Sequence, residues 1–169
     1  MKRIGLISDT HGYLDEKVFQ HFENCDEIWH AGDFGTLELS DKLKAFKPLI
    51  GVYGNIDGQE LRSEHPLHQR FICEGVRVWM THIGGYPGRY HINIKNRIKL
   101  EKPDLFITGH SHILKVMRDP KLENMLHLNP GAAGNHGFHR VKTLMRFECN
   151  EGKVQNLQVI ELGPRAANR

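Results

Sequence analysis

The sequence predicts an α/β protein in which two sheets pack face to face with helices outside. In the first half, short apolar runs alternate with helix-period segments, which argues for βαβ units and a largely parallel sheet. The second half is rich in strand-like runs with little helix between them. One doubly wound sheet accommodates that half poorly, whereas two packed sheets take it readily. No repeat, low-complexity segment or linker divides the 169 residues, so residues 1–169 are read as a single domain. A chain of that length buries roughly 70% of its unfolded surface and needs no staples.

Residues 3–8 contain Ile4-Gly5-Leu6-Ile7, an apolar run of strand length. Leu14, Val18 and Phe22 recur at four-residue spacing, one face of a helix. Ile28-Trp29 marks a second strand. Leu39, Leu43 and Phe46 mark a second helix, stopped by Pro48, and residues 49–53 form a third strand. Val76, Val78 and Met80 alternate with Arg77 and Trp79, the pattern of a half-buried strand. Tyr90, Ile94 and Ile98 predict a helix ending before Pro103. Residues 105–108, 114–118, 125–128, 141–147 and 154–162 then read as strands.

Composition excludes several classes. Hydrophobic content of 39% and charged content of 25% are those of an ordinary soluble domain. Net charge is +3 with no dense Lys/Arg run, so no duplex nucleic-acid partner is expected. Cys25, Cys73 and Cys149 are odd in number and far apart, which suits a reducing cytoplasm and forms neither a disulfide framework nor a thiolate metal site. The N-terminal apolar stretch is too short for a signal peptide, and no run approaches the ~20 apolar residues of a spanning helix. A cytoplasmic chain without a membrane partner is expected.

The residues just past the apolar runs carry the chemistry. The first run gives SDTHG, the second HAGD, the third YGNID, then MTH and TGHSH. Each run ends in Asp, His or Asn, often beside Gly. In open α/β sheets ligands gather outside the carboxyl ends of the strands, so Asp9, His11, Asp33, Asn55, His82, His110 and His112 are expected to converge. Singly, each reads as a cap, a turn former or a hydrogen-bonded structural residue. Jointly, seven donors at five strand ends point to metal. One catalytic zinc commonly takes three protein ligands, too few for this set. The set suits two cations ~3.5–4 Å apart with a bridging carboxylate. Imidazole, carboxylate and amide donors without thiolate favour manganese, iron, zinc, cobalt or nickel.

D-x-H, G-D, G-N-x-D, a single His after a strand, and G-H-x-H occur here in that order. The chain thereby resembles the calcineurin-like metallophosphoesterase superfamily. Being short and without a cap domain, it is most similar to the small bacterial and archaeal phosphodiesterase branch (the YfcE/MJ0936 type), which the NPGA stretch at 129–132 also resembles. The resemblance implies a four-layer α/β/β/α sandwich of two mixed sheets flanked by helices. It implies that Asp9, His11 and His112 hold one divalent ion, that Asn55, His82 and His110 hold the other, and that Asp33 bridges. Manganese is the first choice of metal. The implied reaction is attack of a metal-bound hydroxide on a small phosphodiester, in line, with monoesters less favoured.

The family pattern is not matched everywhere. Many members place His directly after the Asn of G-N-H-D/E, where this chain has Ile56. Asp57 beside it is assigned either acid catalysis or the orienting of a neighbouring imidazole or backbone. THIGG replaces the frequent T-H-G-H, removing a second imidazole. His30 is read as a supporting residue of the site or core. His136, His139 and Arg140 in the Gly-rich stretch 131–140 are set against an ordinary loop. His21, His65, His68, His91 and His127 are assigned surface or packing roles. The competing class is a protein-interaction scaffold with a vestigial metal site, as in Vps29, the retromer subunit that this branch resembles. Intact metal-competent residues at all seven positions favour the enzyme. Edge strands in such a sandwich invite homo-oligomers, with no residue marking an interface.

Overall fold

The computed structural model describes residues 1–166. Its first sheet runs in the order β10-β9-β1-β2-β3, with β1 Lys2–Ile7, β2 Glu27–His30, β3 Leu49–Gly51, β9 Val141–Asn150 and β10 Lys153–Pro164. The second runs β4-β5-β6-β8-β7, with β4 His68–Cys73, β5 Val76–Thr81, β6 Leu105–Ile107, β7 Lys115–Asp119 and β8 Met125–Asn129. β1, β2 and β3 are mutually parallel, as are β5, β6 and β8, while β9, β10, β4 and β7 pair antiparallel. Both sheets are therefore mixed.

Three apolar clusters fix the layers. Leu6, Trp29 and Phe147 from one sheet meet Val78, Met80 and Ile107 from the other in the central core. On the outer face of the first sheet, Ile7, Ile28 and Leu144 bury α1 (Lys17–Phe22), α2 (Leu37–Phe46) and α3 (Gln59–Glu64) through Val18, Phe22, Leu39, Leu43 and Leu61. On the outer face of the second, Trp79, Phe106 and Met125 take Ile94 and Ile98 of α4 (Ile92–Glu101). The order is helix, sheet, sheet, helix. Each fully buried aliphatic or aromatic side chain contributes ~1.5–3 kcal/mol of transfer free energy.

Local chemistry sets the helix ends. Thr36 Oγ1 accepts from Leu39 N at 3.2 Å and caps α2. Lys102 adopts a left-handed φ of 49° just past α4, ahead of Pro103. Four features of the structure differ from the sequence-based expectation. Leu14 lies ahead of α1, which spans only Lys17–Phe22. β5 is not half-buried, because α4 covers its outer face and Trp79 is 1% exposed. α3 has no sequence signature, since only Leu61 of its six residues is buried and no apolar period announces it. β4 is an edge strand with Ile72 exposed, and alternation fails there. Among the described residues, no helix is long and apolar enough to cross a membrane.

Candidate metal centre

The loops at the carboxyl ends of β1, β2, β3, β5 and β6 meet at one end of the sandwich and are bonded to one another. Asp9 N donates to Gly32 O at 3.0 Å, His11 N to Asp33 O at 3.0 Å, and Gly109 N to His82 O at 3.1 Å. Asp9, His11, Asp33, His110 and His112 all have φ between 46° and 68°, the left-handed region. Non-glycine residues held there cost ~1–3 kcal/mol each and persist only when neighbours over-determine them. The cross-loop bonds, ~0.5–1.5 kcal/mol apiece, offset that strain. Five of the seven donors thus sit on strained backbone.

The structure brings all seven sequence-predicted positions together. Nε2 of His112 is 3.1 Å from Asp9 Oδ1, and Nε2 of His11 is 3.8 Å from the same oxygen. Asp33, His82 and His110 form a second group, and in each group the ligand atoms lie within 4.8 Å of one another. Asn55 Oδ1 joins the second group, 3.1 Å from His82 Nε2 and 3.0 Å from His110 Nδ1. Asp33 Oδ2 is 3.2 Å from His82 Nε2 and 3.3 Å from His11 Nε2, so one oxygen faces both groups. Asp9, Asp33 and His82 are buried, whereas Asn55 and His110 are exposed, which leaves the second group open to solvent.

Supporting bonds orient these donors. His82 Nδ1 pairs with Ala31 O at 2.7 Å; a carbonyl only accepts, so the proton sits on Nδ1 and the Nε2 lone pair faces the centre. Asp9 Oδ2 accepts from Ser8 Oγ at 2.7 Å and from His110 N at 3.1 Å, and Asp33 Oδ1 accepts from Ile56 N at 3.1 Å. Only glycine fits at 109, where a Cβ would stand 2.9 Å from both Asp9 Oδ2 and Ala31 O. His30 is fully buried beside the centre. Its Nδ1 accepts from Gly32 N, its Nε2 meets Thr10 Oγ1, and its ring stacks on Phe34, which in turn stacks on His65. Burial holds the His30 imidazole neutral by lowering its pKa to about 3.

Asp57 is buried and accepts three backbone N–H bonds, from Phe34 at 3.2 Å, Gly35 at 2.9 Å and Gly54 at 2.8 Å. It latches the Asp33 loop to the Asn55 loop. In the 131–140 stretch the exposed His136 ring stacks on His11 at 4.7 Å, and His139 meets His112 edge-on at 5.2 Å. Arg140 is exposed. Asn129, the first residue of the NPGA stretch, supports the site in a way that its sequence does not announce. Its Nδ2 donates to Gly109 O at 3.0 Å and to Ser111 Oγ at 3.1 Å, while its Oδ1 accepts from Gly131 N, so it props the loop carrying His110 and His112. A signal is present all the same, an Asn closing an apolar run just as the donors at the five strand ends do.

The electrostatics fit cations. Burial pushes the Asp9 carboxyl up, but the imidazoles of His11, His112 and His82 outweigh it and hold it well below the carboxylate range. Asp33 behaves alike, with His11, His82 and the Ile56 N–H opposing burial. Burial lowers His11, yet Asp33 and Asp9 raise it to about 9. Asp9 Oδ1 and His11 Nε2 are buried and find no hydrogen-bond partner among the described residues. Such orphaned atoms, aimed into a cluster of imidazoles and carboxylates, are what a bound cation would satisfy. A cavity of about 430 Å³ lies elsewhere, between the beginnings of β5 and β8 and the end of α4. It holds none of these donors, so ligand chemistry rather than size locates the centre.

Oxygen and imidazole donors gathered at converging strand ends make an α/β sandwich whose residues could hold metal ions. The model of the calcineurin-like phosphoesterase superfamily domain matches residues 1–152, and the chain belongs to that superfamily. A probable metallophosphoesterase of Methanothermobacter thermautotrophicus is 34% identical over 135 residues, 76% of each chain. Among solved structures, Vps29 of Chaetomium thermophilum has a TM-score of 0.74 at 16% identity, covering 96% of this chain and 97% of that one. Wild-type Vps29 of Entamoeba histolytica, solved with zinc, has a TM-score of 0.70 at 17% identity, covering 94% and 98%. At such identities these structures show the shared fold alone.

Proposed function

We propose that this chain is a phosphodiesterase working with two divalent cations, manganese first among those its donors suit. The observation that carries the reading is the single Asp33 oxygen facing His82 of one donor group and His11 of the other. Asp9, His11 and His112 would hold one ion, His82, His110 and Asn55 the second, with Asp33 shared. When bound, such a pair lowers the pKa of water and neutralises charge on phosphoryl oxygens. The chain's own residues supply the rest. Asp57, Asn129 and Ser8 hold the donors in place, and His110 and Asn55 leave the phosphate an open approach.

Diesters are favoured because Ile56 and Gly84 stand where the family pattern often has imidazoles. Two proton donors or cations are thereby missing, and a diester carries one charge fewer to neutralise than a monoester dianion. Loss of general-acid help costs ~10²–10⁴-fold, so good leaving groups are hydrolysed fastest.

The test is hydrolysis of bis(p-nitrophenyl) phosphate after stripping metal and restoring Mn²⁺. Metal-dependent turnover is the expected result. A second reading, a protein-interaction scaffold, draws on the apolar rim formed by Ile56, Ile83, Ile113 and the fully exposed Phe138. Absence of turnover with Mn²⁺, Ni²⁺ and Zn²⁺ would favour that reading.

A further inference from the structure

A second cavity, about 180 Å³, opens beside the loop that carries His110 and His112. Tyr86, Ser111, Ile113, Lys115, His127 and Asn129 line it. Ser111 lies between the two histidines, so the cavity adjoins the proposed metal centre. We propose that it receives one organic arm of the diester, and that the arm is a flat single ring of pyrimidine or phenyl size. The assignment rests on the phosphodiesterase reading above.

Size sets the first limit. A cavity of about 150 Å³ is enough to bind benzene, so this one has room for one ring and none to spare for a second within its walls. Its walls set the chemistry. His127 is buried at the floor with both nitrogens engaged, Nδ1 by Tyr90 Oη and Nε2 by Thr108 Oγ1, each at 3.2 Å. It therefore presents a ring with no free polar atom. Asn129 spends its amide on Gly109 and Ser111, and the Ser111 hydroxyl also accepts from Ile113 N at 3.2 Å. The polar groups of His127, Asn129 and Ser111 are thus already bonded inward, and with the Tyr86 ring and Ile113 they favour a flat, largely apolar guest.

Tyr86 is the preset wall. Arg89 N donates to Tyr86 O at 2.8 Å across Pro87 and Gly88, and Gly88 has a φ of 85°. Pro at the second position and a positive-φ glycine at the third are the requirements of a type II turn. The turn fixes the backbone at Tyr86 before any ligand arrives, which leaves only side-chain rotation to be ordered when a ring stacks on it. The Lys115 ammonium lies 5.9 Å from the Tyr86 ring centre and can meet a polar substituent on the guest.

The experiment is calorimetry on the Mn²⁺-loaded chain with three probes: methylphosphonate, phenylphosphonate and 1-naphthylphosphonate. All three offer the same head group to the metals. Phenylphosphonate is expected to bind about tenfold tighter than methylphosphonate, the upper range for an aromatic pair, and naphthylphosphonate to gain nothing over phenyl. In Tyr86→Ala, and to a lesser degree in Ile113→Ala, the phenyl-to-methyl ratio is expected to collapse towards one while metal content stays at the wild-type level. Equal binding of phenyl and methyl probes in the wild type, or a ratio surviving both substitutions, overturns the pocket assignment and leaves the metal centre standing. Binding of no phosphonate at all overturns the two-cation reading and the pocket's role together. A phenyl preference without any diester turnover would retain the pocket and sink the hydrolase.

Discussion

Asp33 Oδ2 stands 3.2 Å from His82 Nε2, and the same oxygen stands 3.3 Å from His11 Nε2. A donor shared in this way couples the two groups, so its loss should weaken both. Asp33→Ala is expected to lower metal affinity and diester hydrolysis by more than the ~10–100-fold that an outer partner costs. Metal content after dialysis, measured beside the rate, checks it.

Asn129 acts at one remove. Its amide holds Gly109 O and Ser111 Oγ, and both belong to the loop of His110 and His112. Asn129→Ala leaves the buried Gly109 carbonyl and Gly131 N–H without this partner, at ~1–3 kcal/mol. A fall of ~10–100-fold in metal affinity is expected. Restoration of full rate by excess Mn²⁺ would identify the defect as one of metal retention.

For Asp57 the two assigned roles separate cleanly. An acid catalyst matters more for poor leaving groups than for good ones. A latch between loops matters equally for both. With three backbone N–H groups on its carboxylate, Asp57→Asn should slow p-nitrophenyl and alkyl esters by the same factor and lower the unfolding midpoint. A loss confined to alkyl esters would restore the catalytic role.

Acid should destabilise the metal-free chain through its buried neutral imidazoles. Burial, with a smaller push from Lys115, holds His127 at about 4, against 6.5 in the unfolded state. Between those values the unfolded chain binds a proton that the folded chain refuses. Stability is therefore complete above pH 6.5 and declines as pH falls towards 4, by about 3 kcal/mol from this residue. Urea midpoints at pH 7 and 4.5 test it, and His127→Gln should flatten the dependence. The slope that remains belongs in part to His30, which is depressed in the same direction.

Much of the fold and site is legible in the sequence because a strand end is a change of solvent. Apolar residues stop where the sheet stops, so Asp9, Asp33, Asn55, His82 and His110 advertise themselves just past buried runs. The layers are legible for a related reason, since strand and helix patterns alternate in the first half of the chain and strand-like runs dominate the second. Elements that bury little give no such signal: α3 hides one leucine, and β4 lies at a sheet edge. Periodicity puts Trp79 on an open face because it cannot show that a distant helix covers that face. Asn129 and Asp57 spend their side chains on the backbone of other loops. Those partners are 20 or more residues away for Gly109, Phe34 and Gly35, and no local pattern encodes them.

Whether two cations share the Asp33 carboxylate is decided by stoichiometry. Metal-stripped chain titrated with Mn²⁺ should bind two equivalents. His112→Ala should cripple one site and His82→Ala the other, each leaving about one equivalent. A wild-type stoichiometry of one, or two equivalents retained in both variants, would contradict the account.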